Sequence, residues 1–132
     1  MSHQRLLPAM VGLAVAVLLL TACTPAPTSG EVRGVLVRRD SGQPMSGMGL
    51  QLLIADKTAT GTDFRFGEGN PHTETDKAGA FAFKDVAPGS YGLGSYPEFF
   101  LPIMADGPSG VAPVTYMVTA GQVTDLGKIL VR

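Results

Sequence analysis

Residues 73–91 constrain the fold more than any other part of the chain. The run Thr73-Glu74-Thr75-Asp76-Lys77-Ala78-Gly79-Ala80-Phe81-Ala82-Phe83-Lys84-Asp85-Val86-Ala87-Pro88-Gly89-Ser90-Tyr91 reads as three short strands joined by two tight turns. In the first turn, Asp76 is suited to an Asx-turn and Gly79 tolerates positive φ. Pro88-Gly89 supplies the second turn. Phe81 and Phe83 lie two apart, so in a strand they share one face, while Ala80, Ala82 and Lys84 share the other. A sheet with both phenylalanines on its core face is the expected centre of the fold.

The composition agrees with such a sheet. The chain has 132 residues, enough for one domain, with 17 Gly, 10 Pro and only 16% charged residues. That balance suits short strands and many turns better than helices. A single cysteine excludes an intrachain disulfide. The formal net charge of −1 leaves no basic excess, which argues against nucleic acid as a partner.

The N-terminus reads as a targeting segment. Arg5 provides a positive start, and residues 9–20 form an uncharged apolar run of signal-peptide length. A membrane-spanning helix needs about 20 apolar residues, and Pro8 stands near the start of this shorter run. Leu20-Thr21-Ala22-Cys23 resembles the lipobox of bacterial lipoproteins, and Cys23 is the sole cysteine of the chain. The resemblance implies a signal peptide over residues 1–22, cleaved before Cys23. The Cys23 thiol then takes a diacylglyceryl group and the new N-terminus an acyl chain such as palmitate. One acyl chain anchors only marginally, whereas several hold almost permanently. Thr24 at the following position favours the outer membrane under the Gram-negative sorting rules. The expected address is therefore the cell membrane or outer membrane, facing the periplasm or the exterior. Residues 23–30 form a Pro-containing tether, and residues 31–132 the domain.

Along the domain, residues 31–38 alternate as a strand, and the charged Arg38-Arg39-Asp40 that ends it suggests an edge position. Residues 49–55 form a second strand, with Leu50, Leu52 and Ile54 on one face. Residues 56–70, with Gly61, Gly67 and Gly69, read as a long loop, a common location for function. Pro97 and Pro102 confine the aromatic segment 96–104 to an edge or a bulge. Residues 112–119 and 123–131 supply the last strands, with Gly127 off the alternating pattern. The expectation is an all-β, single antiparallel β-sandwich of about seven strands, with no helix beyond the signal peptide.

Few residues offer catalytic chemistry. Beyond residue 22 the only histidine is His72, and none of Ser46, Ser90 and Ser95 sits on a nucleophile elbow. A small hydrolase dependent on His72 is therefore an alternative, not the first expectation. A second alternative is a copper(I) carrier using Met45, Met48, Met104 and Met117 with His72. The zinc and EF-hand ligand spacings are absent, and no cofactor or metal is expected. Asp76 reads as a turn former. Aromatic and Arg side chains dominate interface hot spots. The candidate partner-binding residues are therefore Phe64, Arg65 and Phe66, with Tyr96, Phe99 and Phe100. The competing expectation is that Phe64 and Phe66 pack onto the sandwich or form a short added strand.

The motif Thr75-Asp76-x-x-Gly79-x-Phe81-x-Phe83, followed by Val86-x-Pro88-Gly89-x-Tyr91, resembles the carboxypeptidase regulatory-like family of prealbumin-like sandwiches. Val32-x-Gly34-x-Leu36 with Gly42-x-Pro44-x-x-Gly47 resembles its first strand and turn. Gly121-x-Val123-x-Asp125-Leu126-Gly127-x-Ile129 resembles its last strand. The resemblance implies a prealbumin-like/Ig-like fold and an accessory role. It carries neither enzyme activity associated with such sandwiches. Hydroxyisourate hydrolases end in Tyr-Arg-Gly-Ser and use several histidines. Intradiol dioxygenases bind iron through two tyrosines and two histidines. The function expected is a membrane-anchored, non-catalytic envelope module that binds another envelope protein or a glycan.

Overall fold

The computed structural model describes residues 25–67, 69–97 and 101–132. The signal peptide, Cys23, Thr24, Phe99 and Phe100 lie outside the described residues. Ten strands form two five-stranded sheets that pack as a sandwich, and there is no helix among the described residues. The first sheet has the order β5(Ala80–Val86), β1(Gly30–Arg38), β10(Val123–Val131), β7(Met104–Gly107), β8(Gly110–Pro113). In the second, β3(Gly61–Arg65), β2(Gly49–Thr58), β6(Gly89–Ser95) and β9(Thr115–Val118) lie in that order, and β4(His72–Glu74) also pairs with β2.

The core forms where the two inner faces meet. Phe81 and Phe83 are buried, as their spacing predicts, and their rings meet edge to face at 5.9 Å. Val32 and Leu36 of β1, Leu50 and Leu52 of β2, Leu93 of β6, Val118 of β9 and Ile129 of β10 complete the same cluster. Fully burying each aliphatic side chain contributes about 1.5–3 kcal/mol. The sandwich therefore rests on this layer rather than on its exposed ion pairs.

The motif around Asp76 is a corner where hydrogen bonds replace side-chain packing. Asp76 Oδ1 accepts the N–H groups of Ala78 and Ala80, each at 2.9 Å, which is the Asx-turn geometry. Gly79 adopts φ +76°, and a Cβ there would run into the Leu36 carbonyl. Thr75, one of two buried polar residues, accepts the Met48 N–H at 2.8 Å and donates to the Met45 carbonyl. The next corner is closed by Tyr91, whose hydroxyl donates to the Ala87 carbonyl at 2.7 Å across Pro88-Gly89.

Four sequence expectations need correction. The strand count is ten, not about seven. Residues 56–70 are not one long loop: Lys57 and Thr58 of β2 turn directly into Gly61 and Thr62 of β3. Residues 112–119 do not form one strand. Pro113 lacks an N–H and ends β8 in one sheet, the Val114 N–H bonds the Ile103 carbonyl, and β9 begins in the other sheet. Finally, β1 is not an edge strand. It pairs with β5 on one side and β10 on the other, and Arg38 at its end is itself paired with Val131.

The β1–β10 pairing is parallel, the exception in an otherwise antiparallel ladder. It brings together the two ends of the domain. Its register slips between Arg33 and Val35, opposite Leu126-Gly127, and Gly127 takes φ +63° at that bulge. The off-pattern Gly127 in the sequence marks this irregularity. At the start of β1 the tether lies against the fold: the Ser29 carbonyl accepts the Gly121 N–H at 2.9 Å, and Pro27 packs where a Gly121 Cβ would stand.

Candidate binding surface

Of the candidate aromatic residues, Phe64 and Tyr96 lie on the outer face of the second sheet. In β2, Leu50 and Leu52 face the core, so Gln51, Leu53 and Ala55 face outward by alternation. All three outward residues are nonetheless buried. Opposite them β6 carries Gly92 and Gly94, which have no side chains to raise the surface. The Leu53 methyls fill the space beside Gly94, and the Phe64 ring fills the space over Gly92. Gly92 and Gly94 were the sequence signal for this close approach, since alternate glycines within a strand mark a neighbour that packs onto the backbone.

The structure divides the proposed residues. Phe64 pairs with Ala55 in β3 and is half-buried against Gly92. Arg65 is exposed and forms an ion pair with Asp56 at 2.8 Å. Phe66, just past β3, is 39% exposed. Tyr96 is half-buried and stacks on His72, with ring centroids 4.8 Å apart. His72 pairs with Gln51, four positions from Ala55 along β2, so roughly 13 Å separates this stack from the Phe64 position. Phe64 and Tyr96 thus share a face without touching one another in register. The sequence did not reveal the His72–Tyr96 stack, because it depends on β4 and β6 flanking the same strand.

Beside Tyr96 lies a groove of about 350 Å³, lined by Gly47, Met48, Gly49, Glu74, Ser95, Tyr96 and Pro97. Gly49 is required there, because a Cβ would collide with the Tyr96 carbonyl. The arrangement offers aromatic surface, a carboxylate and flat backbone.

The other sequence candidates are dispersed. Among the described residues, no hydrogen bond joins His72 to Ser46, Ser90 or Ser95, and the Ser95 hydroxyl engages the Leu101 backbone. Met45 and Met48 pack against the core, whereas Met104 and Met117 are exposed on β7 and β9 in different sheets. No group of three or more His, Cys, Asp or Glu side chains suited to a metal ion occurs among the described residues.

No protein-family description matches the sequence, and no curated protein does. Solved structures do share the fold. The major pilin subunit BcpA of Bacillus cereus, as its D312A variant, aligns with a TM-score of 0.50 at 14% identity, covering 80% of this chain and 30% of BcpA. A candidate carbohydrate-binding protein of Pseudomonas aeruginosa aligns at 0.47 and 16% identity, over 80% of this chain and 91% of that one. A DUF3823 family protein of Bacteroides uniformis aligns at 0.46 and 16%, over 81% and 43%. The chain thus spans less than a third of BcpA's length. What it shares with BcpA is the all-β sandwich architecture.

Proposed function

We propose that the chain is a membrane-anchored, non-catalytic envelope module of the carboxypeptidase regulatory-like type, held by lipid on Cys23 and binding an envelope protein or a glycan. The observation that carries the reading is the placement of the only cysteine directly after an apolar leader, as Leu20-Thr21-Ala22-Cys23. The outer face bearing Tyr96, with Phe66 just past β3 and Arg65 at its margin, is the binding surface in this reading; the candidates Phe99 and Phe100 lie outside the described residues. Aromatic rings at an interface bury large area at low entropic cost.

The test combines metabolic labelling and capture. Wild-type protein labels with palmitate and partitions into detergent phase, and Cys23→Ser does neither. Crosslinking from intact cells then captures the same partner through wild type but not through Phe66→Ala combined with Tyr96→Ala. Palmitate labelling of Cys23→Ser overturns the anchor. Undiminished capture by the double variant overturns the surface.

A further inference from the structure

Parallel pairing of β1 with β10 means that both strands end at the same pole of the sandwich, away from the tether. Arg38 stands opposite Val131, and the Arg39 N–H bonds the Val131 carbonyl at 3.0 Å. Arginines 38, 39 and 132, far apart in sequence, consequently line one groove of about 460 Å³, together with Asp40, Met45 and Val131. Asp106 reaches in from β7 with both oxygens: Oδ2 lies 2.8 Å from Arg39 Nε and Oδ1 lies 3.8 Å from Arg132 Nε. Arg38 forms no ion pair among the described residues.

We propose that this groove binds a phosphate-bearing anion. Asp106 faces two of the guanidinium groups through their Nε atoms. Guanidinium forks match phosphate oxygens in pairs, and several forks around one concave site suit a tetrahedral polyanion better than a single planar carboxylate. The apolar floor of Met45 and Val131 places the charges beside a surface of low dielectric, where they act more strongly than in open water. β1 has nine residues, so the groove lies roughly 30 Å from the tether end. With Cys23 as anchor, the groove faces away from the anchoring bilayer, and its ligand is a soluble phosphate group rather than a lipid headgroup of that membrane.

The experiment titrates the full chain in detergent with inorganic pyrophosphate, following the Arg side-chain Nε signals by NMR. The expected result is saturable shifts at Arg38, Arg39 and Arg132. Affinity falls about tenfold or more in Arg38→Gln and in Arg132→Gln, with melting temperatures unchanged. Arg33→Gln is the control, an exposed arginine of β1 outside the groove, and it leaves affinity unchanged. Asp106→Asn removes a negative charge yet weakens binding, because Arg39 and Arg132 lose their positioning partner. No saturable shift overturns the proposal, as does an equal loss in Arg33→Gln. Tighter binding by Asp106→Asn overturns the positioning role. Vesicles containing phosphatidylglycerol form the second arm: retention on them that Arg38→Gln abolishes overturns the assignment to a soluble ligand. Pyrophosphate binding does not depend on lipid at Cys23, so a failed anchor and a failed groove give separate results.

Discussion

The Phe64 ring occupies the volume that any side chain at position 92 would need. Gly92 is buried in β6 and Phe64 is half-buried in β3, so the contact ties the hairpin edge of the second sheet to its centre. Phe64 and Phe66 should therefore separate on mutation. Phe64→Ala is expected to cost about 1–3 kcal/mol in urea denaturation, as its ring covers Gly92 and Ala55. Gly92→Ala should destabilise comparably by displacing that ring. Phe66→Ala, at a ring 39% exposed, should cost less than Phe64→Ala and reduce partner capture. Equal costs for both phenylalanines would place both in the packing of the sheet.

The Asp76–Gly79 corner gives a sharper test. Gly79→Ala adds a Cβ at φ +76° that meets the Leu36 carbonyl, while the Gly79 carbonyl accepts the Leu36 N–H at 2.9 Å. The expected cost is about 1–3 kcal/mol, from backbone strain and a disturbed β1–β5 junction. Asp76→Ala removes the acceptor of two backbone N–H groups and is expected to cost roughly 1–3 kcal/mol. Asp76→Asn, which keeps an acceptor oxygen, should recover much of that loss. A neutral Gly79→Ala variant in chemical denaturation would show that the corner adopts another conformation.

These two regions explain what the sequence disclosed and what it withheld. The corner was legible because its causes are local: an acidic residue, a glycine three positions on, and two phenylalanines at strand spacing. Burial of Phe81 and Phe83 followed from alternation alone. The β2–β3 hairpin was not legible, because Asp56, Lys57, Thr58 and Thr60 are polar residues that a strand edge and a loop accept equally. The break at Pro113 needed the position of Ile103, whose carbonyl takes the Val114 N–H. The parallel β1–β10 ladder is a non-local choice, so neither the inner position of β1 nor the meeting of Arg39 with Arg132 around Asp106 was written in any single segment. Phe64 and Phe66 looked equivalent in the sequence, and the glycine opposite only one of them separates them.

Tyr116 carries an unusual cost. Its ring is 9% exposed in the core and stacks on Tyr91 at 6.5 Å, and its buried hydroxyl has no hydrogen-bond partner among the described residues. Burial, with a smaller contribution from Tyr91, pushes its ionisation well above the ordinary tyrosine range. An unpartnered buried hydroxyl costs about 1–3 kcal/mol of desolvation. Tyr116→Phe should therefore leave stability unchanged or raise it by about 1 kcal/mol. The pH dependence has a definite sign. The folded state favours the neutral phenol, so this contribution is fully present below the unfolded value and is lost as pH rises through the folded one. The wild type should lose stability on the alkaline side faster than Tyr116→Phe. A clear loss of stability in Tyr116→Phe at neutral pH would reveal a partner for the hydroxyl.

Asp125 offers the opposite case, at the bulge where β10 slips against β1. Its Oδ1 accepts the Gly127 N–H at 2.9 Å, and its Oδ2 lies 3.2 Å from Arg33 Nε. The carboxyl is held below the ordinary aspartate range chiefly by the Gly127 backbone hydrogen bond; desolvation opposes this, and Arg33 adds lesser support through its hydrogen bond and charge. Both side chains are more than half exposed, so the ion pair itself is screened and weak. The ranking of causes makes the prediction. In an NMR titration of the side-chain carboxyl, Asp125 should titrate below the ordinary aspartate range in wild type. It should remain depressed in Arg33→Gln, since the backbone donor is untouched. Gly127→Pro removes that N–H and should raise the Asp125 value further than Arg33→Gln does, with Gly127→Ala, which retains the N–H, as the control for strain at φ +63°. The sign for stability follows: the folded state favours the ionised form, so the contribution is present above the unfolded value and fades as pH falls through the folded one. Acid should therefore loosen the bulge at Leu126-Gly127 before it reaches the Phe81–Phe83 core, visible as earlier hydrogen exchange at Gly127. If Arg33→Gln alone restores the ordinary aspartate value, the guanidinium rather than the bulge backbone governs this carboxyl.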